Sequence, residues 1–373
     1  MTEGPDRVTS RRRAFSIAAA FGAVALLAGY AFASNVIYDR LTLVDRPWCP
    51  EYASFAGSTP ASFATGSRDT GPFVDTTPYL MPDFETVTFA SREPAVTIAG
   101  WWVPGASAAA PAVVVVHGLG RCKGDPEVLL PAGMLHRHGF GVLLIDLRNH
   151  GDSTVTDGRN TAGVRESLDV LGAWDWLRST QALPASRIGL YGVSFGAGGV
   201  MDAMGLEPSV AAAWVDSGFA DVDVGIQDEL DRNGYPRILA PGGILVGRIL
   251  HGVDITSLSP LEAARDLDGR PLAIVHGDAD SRVAVKHAAM LAEAVRAGGG
   301  TVEPWILPDV IHVRAAFVAS AEYERRLAQF FDAAIGKATR GAGRSGAGTP
   351  TGRSAFGAVQ ASSRGLSLAR TGR

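Results

Sequence analysis

A serine flanked by glycines is the chain's clearest candidate nucleophile. Ser194 lies at the centre of residues 192–196, Gly-Val-Ser-Phe-Gly. An apolar run precedes this segment and a stretch of small residues follows it, so the order predicts a strand, a sharp turn and a helix. A serine at such a turn sits in strained backbone, and the flanking glycines are needed because side chains there would collide. The motif is common by chance, so its interpretation depends on the rest of the chain.

Histidines that could activate this serine follow it in the sequence. A strand-turn-helix nucleophile is normally followed by an acid and then by a histidine. His287 lies inside a helix predicted to start near Ala284, where a packing role is expected. His312 follows an apolar run at 302–307, in a loop that can reach Ser194. We therefore predict His312 as the general base.

Three aspartates are candidates for the acid that orients His312. Asp278 and Asp280 share the loop 276–283, which follows an apolar run. Asp278 is closer to the strand, where aspartates commonly bond turn amides. Asp309 lies too close in sequence to His312 to face its ring easily. Asp280 is the favoured acid, and loop capping is the structural alternative for all three.

Backbone N–H groups are expected to form an oxyanion hole. One belongs to Phe195, directly after the candidate nucleophile. The second donor is predicted to be Leu119, in the loop 117–121 after an early apolar strand, where Gly118 lets the chain turn closely. A simple strand-ending turn is the alternative reading of His117-Gly118.

Alternating strands and helices are needed to position these groups. Short apolar runs are separated by segments with helical spacing, which indicates a mainly parallel sheet covered by helices on both faces. Ligands bind beyond the carboxyl ends of the strands in such sheets, where the serine and the candidate histidine and aspartates fall. The predicted strands are 112–116, 141–146, 187–191, 210–216, 272–276 and 302–307, with helices near 167–178, 284–297 and 312–335.

A collinear set of motifs resembles the α/β-hydrolase superfamily. In chain order the motifs are His117-Gly118, Asp-Leu-Arg-Asn-His-Gly-Asp-Ser at 146–153, the segment 192–196, Ser259-Pro260, His-Gly-Asp-Ala-Asp at 276–280 with Val283, and His312. The likeness is greatest to a bacterial serine-hydrolase branch with prolyl-oligopeptidase-like and acyl-esterase members, and it runs from about residue 82 to 335. Ala284 stands where these proteins usually have proline, and the usual glycine near Asp309 is missing.

The resemblance implies an α/β-hydrolase fold and a serine hydrolase that cleaves carboxylic esters. In that scheme Ser194 attacks an acyl carbonyl, His312 takes its proton, Asp280 orients the imidazole, and the amides of Phe195 and Leu119 hold the oxyanion. A serine peptidase or an acyltransferase with the same triad is an alternative. A pseudoenzyme that binds a ligand or partner through the same pocket is the alternative from another class.

Residues 219–266 are predicted to form a lid over an acyl pocket. This segment interrupts the alternating pattern with mixed apolar sequence and suggests a small acyl ester or lipid-like substrate. Two interpretations are open for its apolar side chains, which could line the acyl site or pack on the main core. They are Ile238, Leu239, Ile244, Leu245, Val246, Ile249 and Leu250.

An apolar N-terminal segment predicts export or membrane attachment. Residues 14–33 are uncharged, long enough to cross a bilayer, and follow Arg11-Arg12-Arg13, which predicts an orientation with the catalytic domain outside the cytoplasm. The apolar character continues to Tyr38, which favours an uncleaved anchor at 14–38. A cleaved twin-arginine-like signal with Ala31-Phe32-Ala33 as its cleavage site is the alternative.

The remaining segments complete the predicted organisation. It comprises a cytoplasmic basic segment at 1–13, a stalk or loose wrap at 39–81, a catalytic domain at 82–336 and a disordered basic tail at 337–373. The net charge of -4 does not indicate a particular partner. The catalytic region has no stripe of basic residues that could bind nucleic acid, so no nucleic-acid partner is predicted. The oligomeric state is left open.

Cysteines and histidines give no sign of a metal or another cofactor. Cys49 and Cys122 are too few for a disulfide scaffold, although export would allow them to pair. His117, His150 and His276 each precede glycine at a predicted strand end, and no close-spaced ligand pattern accompanies them. We therefore predict no metal site and no cofactor.

Overall fold

One mixed sheet organises the catalytic part of the chain. The computed structural model describes residues 5–44, 57–67 and 72–336. Within those residues the sheet has eight strands in the order β1-β2-β4-β3-β5-β6-β7-β8. The first hairpin and the β2–β4 pair are antiparallel, and all other pairs are parallel. The strands are β1 Glu85–Ala90, β2 Thr97–Val103, β3 Ala112–Val116, β4 Gly141–Ile145, β5 Ile188–Val193, β6 Ala213–Asp216, β7 Leu272–Gly277 and β8 Trp305–Leu307.

Helices connect the parallel strands and cover the sheet. A long helix at the N-terminus precedes the sheet, and three helices lie in the segment 219–266 between β6 and β7. The helices are α1 Pro5–Thr42, α2 Pro126–Arg137, α3 Glu166–Ser179, α4 Phe195–Leu206, α5 Val222–Arg232, α6 Leu239–Leu250, α7 Pro260–Arg265, α8 Lys286–Ala297, α9 Ala315–Val318 and α10 Ser320–Phe331.

The central strands are buried on both faces. All five side chains of β3 are buried, which explains its unbroken run of alanine and valine. Val114 and Val116 point into a core shared with α3, α4 and α8. Val113 and Val115 point the other way, into a core shared with α2 and α10. This alternation places two helical layers around the sheet, as the apolar runs predict.

The strand order places the candidate nucleophile at a switch point of the sheet. From β3 the chain moves to β4 on one side and then crosses to β5 on the other. Ser194 directly follows β5, and the loops after β7 and β8 leave the same edge because these strands are parallel. Side chains in the three loops can therefore meet beyond the carboxyl ends of the strands.

Several predicted element boundaries differ from the structure, and the strand predicted at 210–216, for example, starts at Ala213. The last strand starts at Trp305 rather than at 302, because only residues 305–307 pair with β7. Helix α8 starts at Lys286. The helix expected over 312–335 is divided into α9, α10 and a π-helical turn at 332–336. Val313 has a φ of 52°, which is incompatible with a helix starting at His312.

The described part of the segment 39–81 packs on the catalytic domain. Phe63, Tyr79 and Met81 are buried in the core beside α2. This arrangement resembles a wrap more than a free stalk. Cys122 is disulfide-bonded. The chain's other cysteine, Cys49, and the predicted tail at 337–373 lie outside the described residues.

Candidate active site

The turn that carries Ser194 is strained and closely packed. Ser194 has φ 52° and ψ −119°, outside the regions that non-glycine residues favour. A Cβ atom on Gly192 would lie 2.5 Å from the carbonyl oxygen of Gly196, and one on Gly196 would lie 2.4 Å from that of His117. Neither position can hold a side chain without moving backbone, so both glycines are required by this turn.

Ser194, His312 and Asp280 are joined by short hydrogen bonds. The hydroxyl of Ser194 lies 2.8 Å from His312 Nε2. His312 Nδ1 lies 2.6 Å from Asp280 Oδ2. An ionised carboxylate only accepts, so Nδ1 carries the proton and Nε2 is free to accept from the serine. The Asp280 side chain is fully buried, while that of His312 is 24% exposed and can meet a substrate.

Several donors surround the Asp280 carboxylate. Its Oδ1 accepts the N–H groups of Arg282, at 2.8 Å, and Val283, at 2.9 Å. His276 Nε2 lies 3.3 Å from Oδ2 and also donates to the Val283 carbonyl at 2.8 Å. Burial alone raises the pKa of Asp280, but hydrogen bonds from His276 and His312 outweigh it and hold this pKa well below its usual range. Asp280 is therefore ionised at neutral pH.

The alternative acids and the alternative base lie elsewhere. Asp278 accepts the backbone N–H of Asp309 at 2.7 Å, which is the turn-bonding role expected of it. Asp309 has a φ of 56° and so occupies the left-handed region that favours glycine, which aspartate tolerates. His287 is buried in α8, accepts the N–H of Ala220 at 3.1 Å, and lies 3.3 Å from Asp228. None of the three contacts Ser194 through a hydrogen bond in the described structure.

A buried polar chain that the sequence did not reveal supports the His312 loop. The Val313 N–H donates to Ser217 Oγ at 3.2 Å. Ser217 donates in turn to Asp216, which also accepts from Tyr323. Val313 is β-branched and has a positive φ, so this residue needs such support to remain in place. Asp216 is the last residue of β6 and Ser217 follows it, and neither belongs to a recognisable sequence motif. Only their neighbours in the folded structure reveal their role.

The predicted oxyanion donors lie beside Ser194. Leu119, Phe195 and Ser194 line the same cavity. The first turn of α4 leaves the Phe195 N–H without an intrahelical acceptor, as in every helix. The carbonyl of Val116 and that of His117 pack against Gly196, which brings the loop 117–121 next to the start of α4. A Cβ atom on Gly118, directly before Leu119, would lie 3.4 Å from Ser194 Cβ, so this loop lies against the candidate nucleophile.

Two neutral histidines hold the loop 117–121, which we name the oxyanion loop after its predicted donor Leu119. His117 Nδ1 donates to the Gly118 carbonyl at 2.7 Å, and its Nε2 accepts from Leu147 at 3.1 Å. His150 Nδ1 donates to the Arg148 carbonyl at 2.8 Å, and its Nε2 accepts from Gly120 at 3.1 Å. Burial lowers the pKa of both rings, which keeps them neutral and able to accept. Within the described residues, no group of three or more His, Cys, Asp or Glu side chains could hold a metal ion.

A cavity of about 470 Å³ opens beside Ser194. Helix α5 and the loop before it supply one apolar wall, which includes Phe219, Val222 and Ile226. The C-terminal end of α1 and the residues after it supply another wall over residues 40–44. The charged residues that line the cavity are Arg40, Asp228, Glu229, Arg232 and Arg282.

Helix α6 does not line this cavity, and both interpretations of its apolar residues need correction. None of the seven apolar residues assigned from the sequence to the acyl site or core lines the cavity. Leu239 and Ile244 pack partly against a small core shared with α5 and α1. Four others are exposed because α6 buries its glycine face, not its leucine and isoleucine face, against α1: Ile238, Leu245, Ile249 and Leu250.

The sheet order and the serine turn define an α/β-hydrolase. A solved structure with the same fold is an esterase from Pyrococcus furiosus, 22% identical, with a TM-score of 0.54 over 73% of this chain and 99% of that one. The chain belongs to the prolyl oligopeptidase family, whose family model matches residues 131–338, more than half of its length. It is accordingly a hydrolase.

Curated relatives match shorter parts of the chain. An Escherichia coli protein of 31.7 kDa from the traX-finO intergenic region is 29% identical over 133 residues, 35% of this chain and 45% of that protein. A thiohydrolase of Aspergillus aculeatus is 33% identical over 86 residues, 22% of this chain and 26% of that protein. The chain thus spans less than half the length of these relatives.

Proposed function

We propose that the chain is a serine hydrolase that cleaves carboxylic esters through Ser194, His312 and Asp280. The observation that carries the proposal is the pair of hydrogen bonds that links the three side chains, at 2.8 Å and 2.6 Å. Their order along the chain is the one typical of α/β-hydrolases.

The geometry supports a two-step reaction. Ser194 Oγ attacks the carbonyl carbon of the ester while His312 Nε2 takes its proton, and the alcohol leaves with that proton. Asp280 keeps the imidazole in the correct tautomer and stabilises its positive charge. The N–H groups of Leu119 and Phe195 hold the developing oxyanion, and each donor lowers the barrier by about 3 kcal/mol. Water activated by His312 then hydrolyses the acyl-enzyme.

The cavity supports a small acyl substrate. Its volume of about 470 Å³ lies in the range of small-ligand sites, and apolar side chains from two sides can pack against an acyl chain. Two relatives are named an esterase and a thiohydrolase, which supports acyl esters and thioesters as the substrate class. We assign the acyl group to the wall formed by α5.

Peptide hydrolysis is the second candidate function. The family model that matches residues 131–338 describes the prolyl oligopeptidase family. The same three side chains can cleave an amide, provided that His312 protonates the leaving amine. An activity test must therefore include an amide substrate with the same acyl group.

The segment 219–266 serves as a lid in this proposal, and α1 as a membrane anchor. Helix α5 covers the cavity and carries part of its apolar wall. Helix α1 is long and apolar enough to cross a membrane, and its apolar stretch is exposed. With arginines before that stretch, the catalytic domain lies outside the cytoplasm. A cleaved export signal would place it on the same side.

Fluorophosphonate labelling of the full-length protein in detergent tests the catalytic assignment. The full chain is needed because residues 40–44 line the cavity. We expect wild type to be labelled and to turn over esters faster than matched anilides. Ser194→Ala should abolish labelling and lower kcat by about 10⁴-fold or more. The control is Ser179→Ala, an exposed serine on α3. Labelling that persists in Ser194→Ala would refute the nucleophile.

A further inference from the structure

Helix α6 is apolar and yet unburied. It has 12 residues, too few to cross a bilayer, and helices of this length and composition normally lie in a protein core or at a membrane surface. The core explanation fails, because one side of α6 and the residue before it expose large apolar side chains. The exposed fractions are 71% for Ile238, 53% for Leu245, 69% for Ile249 and 65% for Leu250.

The opposite side of α6 packs tightly on α1. A Cβ atom on Gly242 would lie 2.0 Å from Ser34 Oγ, and one on Gly247 would lie 2.8 Å from the Tyr38 ring. Tyr30 donates a hydrogen bond from its hydroxyl to the Ile238 carbonyl at 2.8 Å. Small residues allow this close approach, as they do between membrane helices.

These contacts fix the height of α6 along the candidate anchor. Contacts proceed from Tyr30 with Ile238 to Tyr38 with Gly247, so the two helices run in the same direction. Residues 14–38 are uncharged and would extend about 37 Å as a helix, more than the roughly 30 Å of a bilayer's hydrocarbon core. Counted from residue 14, the surplus falls beside α6, where the exposed ring of Tyr30 suits a membrane–water interface.

We propose that the exposed face of α6 docks in the outer surface of the bilayer and that the site takes acyl esters of membrane lipids. This inference rests on the proposed esterase function and anchor. The same helix that would cross the bilayer continues into the cavity wall at residues 40–44. This wall therefore lies within about 10 Å of the end of the uncharged stretch 14–38, within reach of a lipid raised from the membrane.

The charge pattern around α6 agrees with this placement. Arg40 follows the apolar part of α1, Arg237 directly precedes Ile238, and Arg248 directly precedes Ile249. Arg237 pairs with Asp231, and Arg248 pairs with Asp254, so neither guanidinium group would meet the bilayer surface as an unpaired charge. Such a border of charge next to an apolar face is typical of helices that lie at a membrane surface.

Photocrosslinking tests the docking independently of catalysis. Full-length protein is reconstituted in phosphatidylcholine vesicles whose acyl chains carry a diazirine, and adducts are mapped by mass spectrometry. We expect adducts on residues 239–250 as well as on 14–33. Leu245→Glu with Ile249→Glu should reduce the α6 adducts about fivefold or more, because a charge in the bilayer is costly. Adducts confined to α1 would overturn the docking.

Paired ester substrates test the lipid specificity. The oleate ester of a fluorophore is embedded in the vesicles, and the acetate ester of the same fluorophore is dissolved. We expect the variant with both Leu245→Glu and Ile249→Glu to turn over the oleate about tenfold more slowly than wild type, and the acetate less than about twofold more slowly. Leu206→Glu, an exposed leucine at the far end of α4 from Ser194, should change neither. Equal losses on both esters, or none, would overturn the lipid assignment. If wild type turns over neither ester, the esterase proposal is refuted. The crosslinking experiment then decides the docking of α6 by itself.

Discussion

The catalytic edge of the sheet and the region formed by α1, α5 and α6 are built differently. At the edge, Ser194, Asp280 and His312 follow three strand ends, and partly buried hydrogen bonds fix every member. Around α6, contact is made by glycines and apolar side chains, and large apolar groups stay exposed. The first region has one arrangement that its polar groups can satisfy. The second is adapted to an apolar environment and leaves room for substrate.

This difference separates chemistry from selectivity. Directional hydrogen bonds at the edge hold reacting atoms in place, whereas the apolar walls of the cavity distinguish substrates by size and shape. Substitutions at the edge should therefore lower turnover of all substrates together. Substitutions in the α1, α5 and α6 region should change the order of preference among substrates.

The largest effect is expected from Asp280→Asn. An amide at this position no longer holds the proton on His312 Nδ1, so the wrong tautomer faces Ser194 and kcat should fall about 10⁴-fold. The loss should be equal for short and long esters. Steady-state kinetics on an acetate and a longer-chain ester measure both quantities.

Asp278→Asn is the matched control for this prediction. Asp278 lies in the same loop but accepts only the Asp309 amide in the described structure, and an asparagine oxygen can accept the same bond. We expect a loss of less than about fivefold. An equal or greater loss for Asp278→Asn would show that the acid has been assigned to the wrong aspartate.

The next effect tests the α5 wall of the cavity. Gly225 lines the cavity, and a Cβ atom placed on it meets nothing within 4 Å. Gly225→Leu should fill part of the cavity and lower kcat/KM for longer acyl esters about tenfold. Acetate ester turnover and fluorophosphonate labelling should change little. Thermal stability should rise slightly, because leucine favours helix over glycine by about 1 kcal/mol.

A graded series makes this prediction specific. Gly225→Ala adds only one methyl group and should give an intermediate effect on longer esters. Ile249→Phe adds bulk on α6, outside the cavity, and should leave soluble esters unaffected. If Gly225→Leu lowers acetate and long-chain turnover equally, the α5 wall does not hold the acyl group.

The sequence allowed the fold and the three reacting side chains to be proposed because their signals are local. Each follows a short apolar run, and parallel strands bring their carboxyl ends to one edge without further information. The turn at Ser194 needs glycines at two fixed positions, which is again a local requirement. Contacts between segments that are distant in the sequence could not be predicted in this way. The wall at residues 40–44 depends on where an N-terminal helix docks, about 150 residues before Ser194.

Helix α6 shows why composition misleads in such cases. Its leucines and isoleucines indicate burial when the solvent is water, and so the sequence predicts that they line a pocket or pack on the core. The structure buries Gly242, Gly243 and Gly247 instead. This inversion is expected of a helix whose outer face meets lipid, since apolar side chains carry no burial signal there.

The smallest predicted effect concerns the histidines that hold the oxyanion loop. Burial lowers the pKa of His117 and His150. Below about pH 6.5 these two imidazoles therefore bind protons in the unfolded chain but stay neutral in the folded protein. Their contribution to stability is present above that pH and decreases as the pH falls toward the lowered pKa. Each such histidine makes stability fall by up to about 1.4 kcal/mol per pH unit in this window.

His150→Gln should reduce this pH dependence. The glutamine oxygen can accept from Gly120 without titrating, so the variant should lose less stability than wild type between pH 7 and pH 5. His276 acts in the opposite direction. Burial lowers its pKa, but the bonds to Asp280 and Val283 raise it overall, which favours the folded state at low pH.

The contribution of His276 cancels when the stability of His150→Gln is subtracted from that of wild type at each pH, since both proteins contain His276. Thermal unfolding followed by tryptophan fluorescence in one detergent gives this difference at each pH. His138→Gln serves as the control because it removes an imidazole from an exposed position on the catalytic domain. If His138→Gln reduces the pH dependence as much as His150→Gln does, burial at the oxyanion loop is not its cause. A selective effect of His150→Gln would instead tie the acid sensitivity of the whole fold to the loop that carries Leu119.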